Sequence, residues 1–275
     1  MSKHVMMSVK DFFNEALKII EKAESRGIQL RIMGALGVYV NVMDNDDCLK
    51  LYESLGRLSK GRLTFTDLDL VGYRKQSKAI ESTFRELGYK SDDYINAIFS
   101  DKRLIYYHPN NYFTVDIFFS PLEFNHTIDL GKDPEKGRLK LAYPTLSLAD
   151  MILLKLQIHE INRKDLVDLV VLLASHELSL EEERGKINVK RIAEVLCSDW
   201  GFWYDATNNL KLLEGYIHKQ IEDETMFMFK NILETTLEKI ENIKKVIDET
   251  PKSKEWIKRS EIGTKKRWYN VVEEI

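Results

Sequence analysis

The chain reads as an α/β (α+β) half with a small mixed sheet, followed by an all-helical half. Three observations predict this. Segments 66–73 and 112–119 alternate apolar and polar residues with the two-residue period of half-buried strands. Segments 8–27 and 75–87 repeat their apolar residues at helical spacing instead. After Pro144 the strand pattern gives way to helical periodicity that persists almost to Pro251.

Taken in order, Ser8-Val9-Lys10-Asp11 opens a helix with a capping box, a hydroxyl at the cap and an acid three residues on. Phe12, Phe13, Ala16, Leu17, Ile20 and Ala23 form its apolar face, and Gly27 supplies the stop. Residues 28–33 read as a strand. Gly34-Ala35-Leu36-Gly37 then leads into Val38-Tyr39-Val40, the first turns of a second helix. A strand, small residues and a helix N-terminus let backbone N–H groups approach a phosphate. A tight, closely packed turn accounts for the same residues. Residues 46–58 predict a further helix, ending in Ser59-Lys60-Gly61-Arg62. The 75–87 helix points Ile80, Phe84 and Leu87 inward and stops at Gly88. Strands over 104–107 and 112–119 flank the turn His108-Pro109-Asn110-Asn111, short enough to demand an antiparallel pair. Two more short strands near 127–130 and 138–143 complete the expected sheet.

In the second half, Ser147-Leu148-Ala149-Asp150 predicts another capping box. Its helix carries Met151, Leu153, Leu154, Leu156 and Ile158, with Lys155 inside the apolar run. Helices over 162–175 and 188–196 follow. The aromatic run 199–204 reads as a packing knot, and 208–248 is helical throughout in pattern. Residues 252–267 hold seven basic and two acidic residues, a local charge of +5, interleaved with Trp256 and followed by Trp268 and Tyr269.

Composition narrows the class. With 44% hydrophobic and 31% charged residues the chain has the make-up of a soluble globular protein. A net charge of −3 argues against a chain-wide nucleic-acid footprint, though not against a local basic patch. Two cysteines, Cys48 and Cys197, make no disulfide framework and lack zinc-ligand spacing. Neither a signal-peptide pattern nor a run of membrane-span length is present, so a cytoplasmic location is expected.

The chemistry concentrates in Thr66-Asp67-Leu68-Asp69-Leu70-Val71. On a strand Asp67 and Asp69 point the same way, and Leu68 and Leu70 point to the core. Like charges side by side call for a cation, and magnesium is the hard divalent ion that oxygen ligands suit. A strand edge with two solvated aspartates is the plainer reading. Asp116, inside Thr114-Val115-Asp116-Ile117-Phe118, is a third acid in an apolar strand, costly to bury without a cation.

Gly34-Ala35 after a strand, Asp67-x-Asp69 on the next, Asp116 on a later one, a Leu-Leu-Lys-Leu helix and Arg163-Lys164-Asp165-Leu166-Val167-Asp168 follow one another in order. That set resembles the polymerase-β-type nucleotidyltransferase superfamily. It is closer to its minimal prokaryotic branch, which includes the AbiE-type toxin nucleotidyltransferases. The resemblance covers roughly residues 28–175. It implies a nucleotidyltransferase-like domain over 1–145 and a helical domain over 146–275, of which 146–175 packs on and contributes to the active site. It further implies Asp67, Asp69 and Asp116 as metal ligands for two magnesium ions, with manganese as the substitute, and Asp116 as acceptor of a hydroxyl proton. By the same resemblance Gly34 and Ala35 lie against the nucleotide phosphates, Lys155 contacts phosphate, and Asp168 orients Lys155 or a substrate group. Lys60 and Arg62 are further phosphate candidates, while Asp165 equally completes a cap begun at Asn162.

Two departures stand out. The superfamily's small motif has Ser or Gly where this chain has Ala35, and the interval from Gly34 to Asp67 is long. The implied activity is magnesium-dependent transfer of an NMP from an NTP to a hydroxyl on tRNA, a protein side chain or a small molecule. A toxin or defence role, with an antitoxin protein as partner, follows from the branch alone. The basic, aromatic stretch 252–269 is the candidate RNA contact. An aminoglycoside-type nucleotidyltransferase and a non-catalytic nucleotide- or partner-binding module are the alternatives.

Overall fold

The computed structural model describes residues 7–57 and 65–272. Lys60 and Arg62 lie outside the described residues. The chain divides into two compact units. Unit 1 comprises Met1–Val40, Leu58–Leu122 and Asp129–Ser147, and unit 2 comprises Asn41–Arg57, Glu123–Ile128 and Leu148–Ile275. The second unit therefore recruits two stretches that precede residue 145.

Helix α1 (Val9–Glu24) begins at Ser8, whose Oγ accepts from Asp11 N at 3.1 Å and donates to Asp11 Oδ2 at 2.7 Å. Phe12, Ala16, Ile19, Ile20 and Ala23 form its buried face. β1 (Leu30–Ile32) runs into α2 (Gly34–Val42), and α3 (Asp46–Ser54) follows, capped by Asn45. β2 (Asp67–Tyr73), α4 (Ser77–Glu86), β3 (Lys90–Ser91), α5 (Asp93–Phe99), β4 (Arg103–Tyr107) and β5 (Thr114–Ser120) complete the mixed sheet and its helices. Strand order is β1-β2-β5-β4-β3. β2 and β5 run parallel, whereas β1 pairs β2, β4 pairs β5 and β3 pairs β4 antiparallel. Leu68, Leu70, Leu104, Tyr106, Val115 and Ile117 are buried on the face that meets α1 and α4, where Ile80 and Phe84 fill the core. Burying a Leu- or Ile-sized side chain contributes about 1.5–3 kcal/mol, so this face dominates the stability of unit 1.

Parts of the expected sheet differ. β6 (Leu122–Glu123) and β7 (Thr127–Ile128) form a separate two-stranded ribbon. Arg138–Lys140 is a short 3-10 turn, and Leu139 N donates to the buried Tyr73 hydroxyl at 3.1 Å. That side-chain acceptor satisfies a backbone donor that a strand would have paired with another strand.

Unit 2 is built on α6 (Leu148–Leu156), α7 (Arg163–Ser175), α8 (Val189–Ser198), α9 (Trp200–Glu222), α10 (Lys230–Glu249) and α11 (Lys254–Ser260). It is not wholly helical, because β8 (Glu177–Ser179) pairs in parallel with β9 (Lys186–Asn188). α10 packs on α7, α8 and α9, and residues from Val167 to Leu173 of α7 are buried. Asp150 is fully buried, and Arg191 Nε lies 3.2 Å from its Oδ1. Cys48 and Cys197 are buried free thiols, both pushed up in pKa, chiefly by burial. No helix among the described residues is long and apolar enough to cross a membrane.

The aromatic run at the start of α9 does pack. Asp205, 4% exposed, holds three groups: His126 Nε2 at 2.8 Å, His159 Nδ1 at 3.1 Å and the Trp268 indole N–H at 3.0 Å. Tyr269 stacks on His159. Asn270 N donates to Asn125 O at 2.9 Å, and Asn125 Nδ2 donates back to Asn270 O at 2.8 Å.

Candidate functional site

The acidic face of the sheet follows from strand alternation. With Leu68 and Leu70 fully buried, Asp67 and Asp69 project from the opposite face, Asp67 exposed and Asp69 half-buried. The parallel register sets Asp69 opposite Asp116 and Asp67 opposite Thr114. Two of the three carboxylates therefore stand on adjacent strands at one level, with the third two residues away.

Gly34 lies against this face. Met33 N donates to Asp69 O at 2.9 Å, drawing the start of α2 to β2. Gly34 has φ +63°, and a Cβ there would sit 2.0 Å from Asp69 Oδ2. Only glycine tolerates both the conformation and the approach. A carboxylate at a helix N-terminus is favoured by the unpaired N–H groups and the dipole. In this structure Asp69 takes that place, with Ala35 next along the helix.

Asp116 has a partner that the sequence reading missed. Arg103 donates from Nε at 3.0 Å and from Nη2 at 2.8 Å, both to Asp116 Oδ1. Burial raises the Asp116 carboxyl above its ordinary pKa; Arg103 pulls it down, and the negative charge of Asp67 adds to the rise. Counting back from the 108–111 turn would have found Arg103. The hairpin pairs Tyr107 with Thr114 and Ile105 with Asp116, leaving Arg103 diagonal to the acid on the same face.

The donors are of the class a hard divalent cation takes, oxygen only and on neighbouring strands, but Arg103 already occupies Asp116 Oδ1. Among the described residues, no group of three or more His, Cys, Asp or Glu side chains is placed to hold a metal ion.

The remaining predicted residues belong to unit 2 and form a network of their own. Lys155 Nζ lies 2.7 Å from Asp165 Oδ1 and 2.8 Å from Asp168 Oδ2, with 12% of its side chain exposed. Burial alone would lower its pKa, but Asp168 and then Asp165 outweigh it, so the amine is held above its ordinary value. Asp168, fully buried, also accepts from the Tyr52 hydroxyl at 2.5 Å and Arg57 Nε at 3.0 Å. Arg163 Nη2 donates to Leu55 O at 2.8 Å. Asn162 caps α7 by accepting from Lys164 N and Asp165 N, so Asp165 sits in the first turn as well as pairing Lys155. Tyr52 and Arg57 gave no sequence signal, since only the packing of α3 on α7 brings them to Asp168.

In the basic stretch, Trp256 packs edge-on against Trp203, and Trp268 against Trp200 and Tyr204. Lys252 and Arg259 donate to backbone carbonyls. Lys254, Lys258, Lys265, Lys266 and Arg267 are exposed. The two tryptophans thus serve packing rather than base stacking.

Comparison with protein-family models, curated proteins and solved structures finds no significant match to this chain.

The Arg103–Asp116 pair yields a pH-dependent expectation. In magnesium-free buffer at neutral pH, Arg103→Met destabilises unit 1 by about 2 kcal/mol, the scale of a charged hydrogen-bonded pair with one partner removed. A raised folded-state carboxyl contributes stability that is present below the unfolded pKa and lost as pH rises through the folded one. Removing Arg103 raises the Asp116 carboxyl further and enlarges that loss. The deficit against wild type therefore narrows as pH falls from 7 to about 4, where Asp116 is increasingly protonated. Urea denaturation across that range measures it. A deficit that stays constant or grows in acid contradicts the assignment.

Proposed function

We propose that the chain is a magnesium-dependent nucleotidyltransferase that moves an NMP from an NTP to a hydroxyl acceptor. The reading rests on the motif order from Gly34 to Asp168, which resembles the polymerase-β-type superfamily and its minimal prokaryotic branch. The observation that carries it furthest is the parallel β2/β5 register, with Asp69 beside Asp116 and Gly34 against Asp69.

In this reading Asp67, Asp69 and Asp116 would hold the magnesium once their side chains turn toward one another. When bound, the metal supplies charge neutralisation at the triphosphate and stabilises the attacking and leaving oxygens. Asp116 takes the acceptor hydroxyl's proton. The acceptor oxygen forms a bond to the α-phosphorus as the bond to pyrophosphate breaks. Gly34 keeps the backbone close to Asp69 and fixes where that carboxylate stands. Lys155, matched by two carboxylates, is given a positioning role within unit 2 in place of phosphate contact. The exposed lysines of 254–266 are the surface for an RNA acceptor, if RNA is used.

A second reading has its own observation. Arg103 already neutralises Asp116, as it would in a nucleotide- or partner-binding module without turnover.

Transfer of label from each α-labelled NTP with magnesium, onto total tRNA and onto the protein alone, tests the proposal. Asp69→Asn should retain the fold and lower transfer by at least about 100-fold, the scale of removing a group that stabilises transition-state charge. Label on tRNA or protein that vanishes in the variant supports the reading. Nucleotide binding without transfer to RNA, protein or aminoglycoside acceptors replaces it with the module.

A further inference from the structure

A second polar site lies in unit 1, on the other face of the sheet. The antiparallel register pairs Ile105 with Asp116 and Tyr106 with Val115, so Tyr106 faces away from the acids. Leu104 and Tyr106 floor a cleft of about 400 Å³ between α4 and α5. That volume falls within the range of small-molecule sites. Glu81 and Arg85 of α4 form one wall, and Asp93 and Asn96 of α5 line the other.

The cleft is held open by fixed parts. The Asn96 amide donates to Ile105 O at 3.0 Å and accepts from Ile105 N at 2.7 Å, tying α5 to β4. The Tyr106 ring stacks on Phe84 at 4.5 Å. Tyr106 is 3% exposed, and what remains accessible of it opens into the cleft. Burial, then the charge of Glu81, push that phenol up, so it stays a neutral donor. Glu81 and Arg85 lie one turn apart on α4, the spacing at which opposite charges normally pair. Among the described residues neither side chain makes an ion pair or hydrogen bond. An unpaired carboxylate, an unpaired guanidinium and a phenol hydroxyl open to the cleft thus converge on one cavity.

We propose that this cleft binds a small zwitterion of amino-acid size, with Arg85 taking its carboxylate and Glu81 its ammonium. The Tyr106 hydroxyl supplies a further donor to the carboxylate. A plain anion is disfavoured by Glu81 and Asp93, and a plain cation by Arg85. Arg85 offers the fork geometry that carboxylates match. The inference does not depend on the nucleotidyl-transfer reading, because Asp67, Asp69 and Asp116 stand on the opposite face.

The test is titration of the ¹⁵N-labelled full chain with the common free L-amino acids, one at a time, followed by amide shifts. Acetate and ethylammonium serve as single-charge probes. At least one amino acid should saturate shifts in α4, α5 and β4 below about 10 mM, the weak end of small-ligand affinity. Arg85→Gln and Glu81→Gln should each weaken that binding by about tenfold or more, the scale of a lost charge-assisted contact. Tyr106→Phe should weaken it less, and Asp69→Asn should leave it unchanged. The unliganded spectra of these variants verify their folds. Absence of saturation with every amino acid overturns the proposal, as does unchanged binding in Arg85→Gln or Glu81→Gln. Equal affinity for acetate or ethylammonium overturns the zwitterion assignment.

Discussion

Asp168→Ala should destabilise unit 2 by about 3–5 kcal/mol, the cost of breaking a buried ion pair from one side. Asp168 is fully buried and lies at the centre of Lys155, Arg57 and the Tyr52 hydroxyl. Its loss leaves Arg57 without its carboxylate and Lys155 with Asp165 alone. Asp165→Ala should cost less, about 1–2 kcal/mol, because Asp168 keeps hold of Lys155. Because the Lys155 amine is raised, its contribution persists up to the ordinary lysine pKa and is lost only as pH rises through the higher folded value. The two variants should therefore keep their ranking from about pH 6 to 9. Guanidinium denaturation of both decides it. An Asp168→Ala cost no larger than that of Asp165→Ala would remove Asp168 from the centre of the network.

Gly34→Ala should disturb the acidic face without unfolding the chain. The left-handed φ costs a non-glycine residue about 1–2 kcal/mol. The new methyl also competes for the space of Asp69 Oδ2, so the carboxylate has to turn away. Thermal denaturation should show a loss of about 1–3 kcal/mol. If the proposed transfer is observed, its rate should fall by at least about tenfold, since a small displacement of a reacting group is costly. Unchanged stability would show that Gly34 and Asp69 are not in contact in solution.

The fold was legible wherever local chemistry and burial agree. Ser8 and Asp11 mark the start of α1, and the leucines of β2 and Val115, Ile117 and Phe119 of β5 point inward as their alternation requires. The turn at 108–111 forced the antiparallel pair that the structure contains. Expectation failed where a partner distant in sequence decides the outcome. The 138–143 segment is apolar enough for a strand, but the Tyr73 hydroxyl takes its backbone donor. α5 spans only seven residues, too few for a helical period to register, and its Tyr94 and Ile98 face solvent rather than a core. β8 and β9 are too short for an alternation to register. At the acidic face the carboxylates were readable from spacing alone. Arg103 required the strand register, and Tyr52 and Arg57 required the packing of α3 on α7.

The scattered make-up of unit 2 also orders events during synthesis. Tyr52 and Arg57 leave the ribosome well before Asp168, and Asn125 well before Asn270. Unit 1 has all its segments once residue 147 has emerged, whereas the 41–57 and 123–128 pieces must wait for theirs. At about 5–20 residues per second, the interval from Asp168 to Asn270 lasts roughly 5–20 s. Throughout it Asn125, and from its own synthesis onward the Asp205 carboxylate, lack the tail residues that later close on them. Nascent-chain capture should be most efficient in that window, and a slower codon run before residue 268 should lengthen it.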